Sequence, residues 1–172
     1  MKVILWMAMS VNGIIARENN EEDFLSHQGW NEWVKFIRDA GCMVWGAKTY
    51  KVVSGWKREY FKDIEGVRAI IVSSSLKNLS DERFGLANSP QNALEILKKE
   101  GFDRVVLTGG STLNSSFAKL GLIDEIVLSV EPVVVGQGIP LFKSDLFDLK
   151  LELASIAKIN QNLIQLHYRV VK

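Results

Sequence analysis

The residues best suited to bind a ligand directly follow apolar segments. Residues 105–107 form an apolar, β-branched run typical of a buried strand, and Gly109, Gly110, Ser111 and Thr112 come just after it. A strand that turns through glycines into a helix presents free backbone N–H groups and the positive end of the helix dipole, which suits a phosphate. A tight turn without a ligand would use the same residues. From this segment alone, both interpretations remain open.

Three other apolar runs end in the same way. Asn12 and Gly13 follow residues 3–9, residues 46–49 follow residues 42–45, and residues 73–75 follow residues 68–72. In an open α/β sheet, ligands bind outside the carboxyl ends of the strands. The four ends together therefore predict one nucleotide-like ligand across that edge. Neither a G-x-G-x-x-G motif nor a Walker loop is present in the sequence.

Composition narrows the class of protein. The 172 residues are 47% apolar and 24% charged with a net charge of +1, which predicts one globular domain over residues 1–172 and disfavours a nucleic-acid or membrane-surface partner. One cysteine and two distant histidines provide no internal disulfide and no zinc-type spacing, so we expect no metal. The apolar N-terminal run is too short to span a bilayer and lacks a signal-peptide pattern, which favours a cytoplasmic protein.

Elements that could position these strand ends alternate along the chain. Trp30, Trp33, Val34 and Ile37 share one face of a helix that Ser26 could cap and residue 41, a glycine, would end. A second helix is predicted from Ser89-Pro90 to Gly101. A third helix would begin after the Gly-Gly pair, with Leu113, Phe117 and Leu120 on its apolar face.

The remaining segments complete an α/β fold with a mostly parallel central sheet flanked by helices. Residues 84–87 could add a short strand, and residues 151–157 and 163–171 predict a C-terminal antiparallel hairpin. We interpret the acidic residues 18–23 as a solvated loop. Residues 54–66 are predicted to be a loop anchored by Trp56, Tyr60 and Phe61, and residues 132–142 an irregular link.

The ordered motifs resemble the dihydrofolate reductase superfamily, and within it the reductase domain of riboflavin biosynthesis. Residues 8–16 match the pattern A-x-S-x-(D/N)-G-x-I-A, and residues 132–142 match P-x-x-x-G-x-G-x-P-L-F. Residues 46–50, 72–74 and 109–113 follow in the order of that branch. The resemblance covers nearly the whole chain and implies an NADPH-dependent reductase, a homodimer and a cis bond between the two glycines.

The same resemblance assigns roles to particular residues. The turn after the first strand would face the nicotinamide, and residues 109–113 would hold the pyrophosphate. Gly46, Lys48 and Thr49 would meet the pyrophosphate and adenosine side, and Ser73 and Ser74 the 2′-phosphate. The implied cofactor-binding residues are Ala8, Asn12, Gly13, Ile15, Gly46, Lys48, Thr49, Val72, Ser73, Ser74, Gly109, Gly110, Ser111, Thr112 and Leu113. The substrate would lie against Trp6, Trp30 and Trp33, with hydride passing from the nicotinamide to a C=N or C=O carbon.

Two residues depart from the riboflavin branch. Trp6 stands where that branch usually has a lysine, and Thr108 where it usually has a glutamate directly before the Gly-Gly pair. The candidates for a catalytic group are Glu32, His27 and Thr108. Glu32 and His27 do not align with the first-helix carboxylate of dihydrofolate reductases. For Glu32 and His27 taken singly, a solvated helix charge and a helix-start residue are the simpler interpretations.

Three functions are consistent with this pattern. The first is reduction of a ribosylaminopyrimidine-type substrate as in riboflavin biosynthesis. The second is reduction of another small molecule, such as a pterin. The third is a non-catalytic NADPH-binding protein on the same scaffold. The apolar C-terminal hairpin is a candidate dimer interface.

Overall fold

The computed structural model describes residues 1–55, 58–79 and 81–172. Its strands are β1 Lys2–Ser10, β2 Ile14–Ala16, β3 Cys42–Gly46, β4 Arg68–Val72, β5 Phe84–Ala87, β6 Arg104–Leu107, β7 Glu125–Glu131, β8 Ile139–Pro140, β9 Lys150–Lys158 and β10 Ile164–Val171. Its helices are α1 His27–Ala40, α2 Ala47–Val53, α3 Arg58–Asp63, α4 Pro90–Lys99 and α5 Ser111–Lys119.

Eight strands form the main sheet in the order β5-β4-β3-β6-β1-β7-β10-β9. The pairs from β5 to β7 are parallel, whereas β10 pairs antiparallel with both β7 and β9. The predicted mostly parallel sheet and the C-terminal hairpin are therefore confirmed. Strands β1, β6 and β3 lie side by side, so their carboxyl ends meet at one edge.

Two apolar cores cover the two faces of this sheet because side chains alternate along each strand. Val3 and Leu5 of β1 belong to the core under α4 and α5, whereas Ile4 and Trp6 belong to the core under α1 and α2. Trp6 therefore lies on the same side of the sheet as Trp33 of α1.

The ends of α1 follow the sequence signals. The Ser26 hydroxyl accepts a hydrogen bond from the Gly29 N–H, and the N–H of Gly41, at φ 76°, donates to the Ile37 carbonyl. The predicted face of α1 is confirmed, with Trp33 and Ile37 buried. The face of α5 is only partly as predicted, because Leu113 and Phe117 are buried but Leu120, at the helix end, is 45% exposed.

Two segments differ from the sequence-based prediction. Residues 54–66 are not simply a loop, because they contain α3, and Phe61 of α3 packs 6.5 Å from Phe84, ring centre to ring centre. Trp56 lies outside the described residues. Within residues 132–142, β8 pairs with β2, so the link contains a short second sheet that local sequence did not reveal. In the described part of the chain, no helix is both long and apolar enough to cross a membrane.

Candidate functional site

The ends of β3 and β6 form a close junction, which we call the glycine junction and define by Gly46, Gly109 and Gly110. The Gly46 N–H donates to the Gly109 carbonyl over 2.9 Å. The Gly109–Gly110 peptide bond is cis, as the resemblance implies, and Gly109 has φ 88°. Two of the predicted strand ends are thus in direct contact.

Each glycine of this junction faces a neighbour at short range. A Cβ on Gly110 would lie 3.2 Å from Thr49 Oγ1, and one on Gly46 would lie 3.4 Å from the Cβ of Leu113. A Cβ on Gly109 would lie 3.2 Å from the sulfur of Met7. Side chains at these positions would press against these neighbours, so glycine allows the strand ends to approach one another closely.

Helix α5 begins at this junction with open backbone donors. Gly110 is its N-cap residue, and no side chain caps the helix. The Ser111 hydroxyl is buried without a hydrogen-bond partner among the described residues, while Thr112 is exposed. An uncapped helix start beside glycines can hold an anionic phosphate, because the free N–H groups and the helix dipole both favour negative charge.

The other implied cofactor residues lie around the same edge, with different surroundings. Lys48 is an exposed residue of the first turn of α2. Val72 and Ser73 are buried at the end of β4, and Ser74 is exposed. The Ser73 hydroxyl accepts hydrogen bonds from the N–H groups of Ser75 and Leu76, so it stabilises its own turn.

The Asn12 side chain is used to hold two loops together. Its Nδ2 donates to the Val135 carbonyl over 2.7 Å, and its Oδ1 accepts from the Val135 N–H over 3.1 Å. Gly13, at φ 80°, lies in the same turn, and its carbonyl accepts from the Leu141 N–H. The turn after β1 is therefore held against the segment around β8, and the Asn12 amide is used within the protein.

A cavity of about 350 Å³ opens beside this turn, below α1. Its walls are aromatic on several sides, and Trp30 and Trp33 of α1 pack with ring centres 4.8 Å apart. The lining residues are Trp6, Met7, Ala8, Ile15, Glu22, Leu25, Ser26, His27, Gly29, Trp30, Trp33, Trp45, Thr49, Tyr60, Thr108 and Glu131. Because Thr49 and Thr108 belong to both the cavity and the surroundings of the glycine junction, the two regions form one site.

Some of the site residues proposed from sequence line this cavity, and others do not. All three proposed substrate-pocket tryptophans line it, as do Ala8, Ile15 and Thr49 of the cofactor set. Of the catalytic candidates, His27 and Thr108 line the cavity, whereas Glu32 is not among its lining residues. Glu32 accepts from Gln28 at 3.4 Å and lies 3.6 Å from the Lys35 ammonium group.

Sequence reasoning missed two carboxylates that reach the cavity. Glu131 ends β7 and is 2% exposed. Like the other proposed site residues, Glu131 stands at the end of a mostly apolar strand segment, residues 126–130. That position could have identified it as a site residue from sequence. Glu22 belongs to the acidic segment interpreted as a solvated loop, and nothing local distinguishes it from its acidic neighbours. The segment is an exposed loop as interpreted, and the structure adds that the Glu22 side chain lines the cavity.

Glu22 is an exposed residue whose side chain lines the cavity. Its residue surface is largely open to solvent, but its side chain reaches the cavity wall, where burial raises the pKa of the carboxyl to about 7. The loop that carries it is braced by an ion pair between Arg17 and Asp23. A carboxyl group that titrates near neutrality can supply a proton at physiological pH.

Replacing Glu22 by glutamine is expected to change how stability depends on pH. The unfolded carboxyl ionises near a pKa of about 4.3, whereas the folded one retains its proton up to about pH 7. The folded state therefore binds more protons between these values, and this carboxyl lowers the stability of the wild type as the pH rises from about 4.3 to about 7. Urea unfolding at acidic and neutral pH should show that component in the wild type and not in Glu22→Gln.

The matched control for this measurement is Glu18→Gln, on the same acidic loop. It should retain the pH dependence of the wild type. Equal pH dependence in Glu22→Gln and the wild type would show that the Glu22 carboxyl is not desolvated.

The sequence and the fold of this chain are similar to those of known proteins. A family model described as the RibD C-terminal domain matches residues 1–165. The YwjB protein of Bacillus subtilis (strain 168) is 30% identical over 171 residues, covering 97% of both chains. A putative riboflavin biosynthesis protein from Shewanella sp. PV-4 has the same fold, with a TM-score of 0.82 at 20% identity over 100% of both chains.

A longer protein has this fold in part of its chain. The diaminohydroxyphosphoribosylaminopyrimidine deaminase/5-amino-6-(5-phosphoribosylamino)uracil reductase of Thermotoga maritima superposes with a TM-score of 0.74 at 18% identity. The superposition covers 99% of the present chain and 56% of the Thermotoga chain. At this level of identity, the likeness concerns the fold.

Proposed function

The chain belongs to the RibD C-terminal domain family, and we propose that it is an NADPH-dependent reductase of a small nitrogen heterocycle. The observation that carries this proposal is the continuity of two regions. The uncapped start of α5 lies beside the glycine junction. Thr49 and Thr108 border both this junction and the aromatic cavity, so the two regions are continuous. A dinucleotide needs the first region for its phosphates, and a flat substrate needs the second.

The residues present fit such a cofactor. Gly109, Gly110 and the first N–H groups of α5 would hold the pyrophosphate, because no side chain caps the helix. Ala8, near the end of β1, and Ile15 of β2 line the cavity and would flank the nicotinamide. Ser74, exposed at the end of β4, would meet the 2′-phosphate.

NADPH, when bound, supplies a hydride to an electrophilic C=N or C=O carbon. This chain contributes orientation and exclusion of water. Trp6, Trp30 and Trp33 would hold a flat ring and keep the cavity dry. Glu22 would hold the proton that balances the added hydride, since the pKa of its carboxyl is raised to about 7.

The first candidate substrate is a phosphoribosylaminopyrimidine, because the Thermotoga protein of the same fold carries the name of a 5-amino-6-(5-phosphoribosylamino)uracil reductase. A second candidate, reduction of an unphosphorylated ring such as a pterin, is favoured by Trp6 and Thr108. Both residues line the cavity, and no lysine or arginine occurs among its described lining residues. A phosphate group is usually held by such cations.

A binding measurement followed by a substrate screen tests the proposal. Isothermal titration calorimetry with NADPH should show binding, and loss of NADPH absorbance should follow addition of a phosphoribosylaminopyrimidine or a dihydropterin. Absence of NADPH binding would refute the proposal. Tight binding without turnover of any candidate would instead support a non-catalytic NADPH-binding protein.

The proposed assembly is a homodimer formed through the C-terminal hairpin. Leu151, Leu153 and Ile156 of the edge strand β9 pair with Val170, Tyr168 and Leu166 of β10, on the sheet face that also carries the α5 core. They are 41%, 54% and 62% exposed, and we call them the outer stripe. An unpaired apolar edge of this kind favours association with a second copy.

Replacing Ile156 by lysine is expected to convert the dimer to a monomer. A charge within an apolar interface costs far more than the lost methyl groups, because it must be desolvated without a partner. Light scattering coupled to size-exclusion chromatography should report twice the chain mass for the wild type and the single mass for the variant. Val134→Lys, at a 70% exposed valine outside the hairpin strands, should remain dimeric. A monomeric wild type would contradict the assignment.

A further inference from the structure

Trp30 lines the cavity, and its ring nitrogen is bonded to a carboxylate that lies outside it. The Trp30 Nε1–H donates to Asp63 Oδ2 over 2.9 Å. Asp63 is the last residue of α3 and does not line the cavity. A hydrogen bond to an ionised acceptor is roughly twice as strong as one between neutral groups, so this bond fixes the plane of the indole.

Contacts between α1 and α3 hold Asp63 in this position. Arg38 of α1 donates through Nε to the Asp63 carbonyl over 2.8 Å and through Nη2 to the Lys62 carbonyl over 3.1 Å. A cation at the end of a helix is also favoured by the helix dipole. Trp30 and Arg38 belong to the same helix, so α1 binds the end of α3 at two points and keeps the carboxylate beside the indole.

Trp30 belongs to a group of aromatic rings that line the cavity. Trp33 and Trp45 stack with ring centres 6.3 Å apart, and they are 7% and 2% exposed. Tyr60 meets Trp30 edge to face over 5.2 Å, and Trp30 itself is half-buried. The face of an aromatic ring is negative and attracts a cation. Among the described residues that line the cavity there is no lysine or arginine to occupy such a face.

We propose that the pair of Asp63 and Trp30 makes the cavity selective for a positively charged flat nitrogen heterocycle. The inference rests on the proposed reductase function and names a substrate class for that site. Asp63 is a positioning residue that acts through Trp30. Its negative charge polarises the indole through the hydrogen bond and strengthens the attraction between the indole face and a cationic ring.

The charge of such a ring changes during reduction. The added hydride brings the electron pair of the new C–H bond to a ring carbon, and the π pair of the C=N bond moves to nitrogen. The nitrogen loses its positive charge, so the product is neutral. The product therefore loses its attraction to the face of Trp30, which favours its release over that of the substrate.

The test compares a cationic and a neutral ring of similar shape by isothermal titration calorimetry. The probes are 1-methylquinolinium and 4-methylquinoline, at a mildly alkaline pH where the second is neutral. Neither probe carries an N–H group, so the comparison measures recognition of charge and not of hydrogen-bond donors. The wild type should bind the cationic probe at least about tenfold more tightly than the neutral one.

Asp63→Asn removes the charge but keeps an oxygen that can accept from the indole N–H. It should lower the preference for the cationic probe at least about threefold and leave the affinity for the neutral probe unchanged. A purely structural role of Asp63 would not produce this difference between the two probes. Asp39→Asn is the matched control, because Asp39 is also on α1 and its side chain, paired with Arg104, is 74% exposed. It should retain the preference of the wild type.

A double-mutant cycle separates the indole from the general field of the carboxylates, since Glu131 also lines the cavity and attracts cations. Trp30→Phe keeps an aromatic ring but has no N–H group to bond Asp63, so it should lower the preference. Asp63→Asn added to Trp30→Phe should lower it no further. An equal effect of Asp63→Asn in both backgrounds would show that Asp63 does not act through Trp30, and would overturn the inference.

NADPH affinity is measured separately and should be unchanged in Asp63→Asn. The probes are measured without NADPH, so a wild type that fails to bind NADPH counts against the reductase function alone. A wild type that does not prefer the cationic probe, or a folded Asp63→Asn that retains the preference, would overturn the inference. If Asp63→Asn does not fold, Trp30→Phe decides, because a folded Trp30→Phe with the preference of the wild type would overturn it as well.

Discussion

Replacing Gly109 by alanine is expected to weaken NADPH binding by at least about tenfold, which corresponds to about 1.4 kcal/mol. Gly109 has φ 88°, a conformation that alanine adopts only at a cost of roughly 1–2 kcal/mol. The added Cβ would also lie 3.2 Å from the Met7 side chain, which must then move. Both effects displace the backbone that would face the pyrophosphate.

A matched glycine separates binding from stability in this experiment. Gly101 has φ 93° after α4, and a Cβ there would meet nothing within 4 Å. Gly101→Ala should therefore carry a similar backbone cost but retain the NADPH affinity of the wild type. Calorimetric titration of both variants measures the difference. Equal affinities in the two variants would show that the glycine junction does not hold the cofactor.

Replacing Phe117 by alanine is expected to destabilise the fold by about 3–5 kcal/mol. Phe117 is fully buried on α5, in the core formed with β1, β3 and β6. The lost side chain would leave a cavity beneath the helix whose first turn forms the proposed phosphate site. Thermal unfolding should show a melting temperature lower by roughly 10 °C for a chain of this size.

Leu120 provides the control for that prediction at the end of the same helix. It is 45% exposed, so Leu120→Ala should cost less than about 1 kcal/mol. The sequence pattern assigned Phe117 and Leu120 to one apolar face, and only the structure separates them. Similar losses of stability in both variants would contradict the burial described for α5.

Local sequence was sufficient for most of the secondary structure. Apolar runs predicted β3, β4 and β6, because strands covered on both faces leave few polar positions. Ser26 and Gly41 marked the ends of α1 through capping chemistry that depends on a few neighbouring residues. The order of motifs along the chain was enough to identify the family.

The glycine junction was also foreseen from sequence. A strand followed by Gly109 and Gly110 and then a helix start carries its own signal, since only glycine leaves such a turn free of side chains. The contact between Gly46 and Gly109 then follows from the adjacency of β3 and β6 in the sheet. The side chains of Ser73 and Asn12 are not free to bind a cofactor, because both form hydrogen bonds within the protein.

The chemistry of the cavity was decided by tertiary structure. Glu131 and Ser26 are 105 residues apart, and their hydrogen bonds depend on where β7 lies relative to the start of α1. Glu22 differs from the acidic residues around it only through the wall that it touches. Sequence by itself determined the strands, the helix caps and the glycine turn, because each depends on neighbours along the chain. Which carboxylates face the cavity was decided by packing, because burial and partners arise only when distant segments meet.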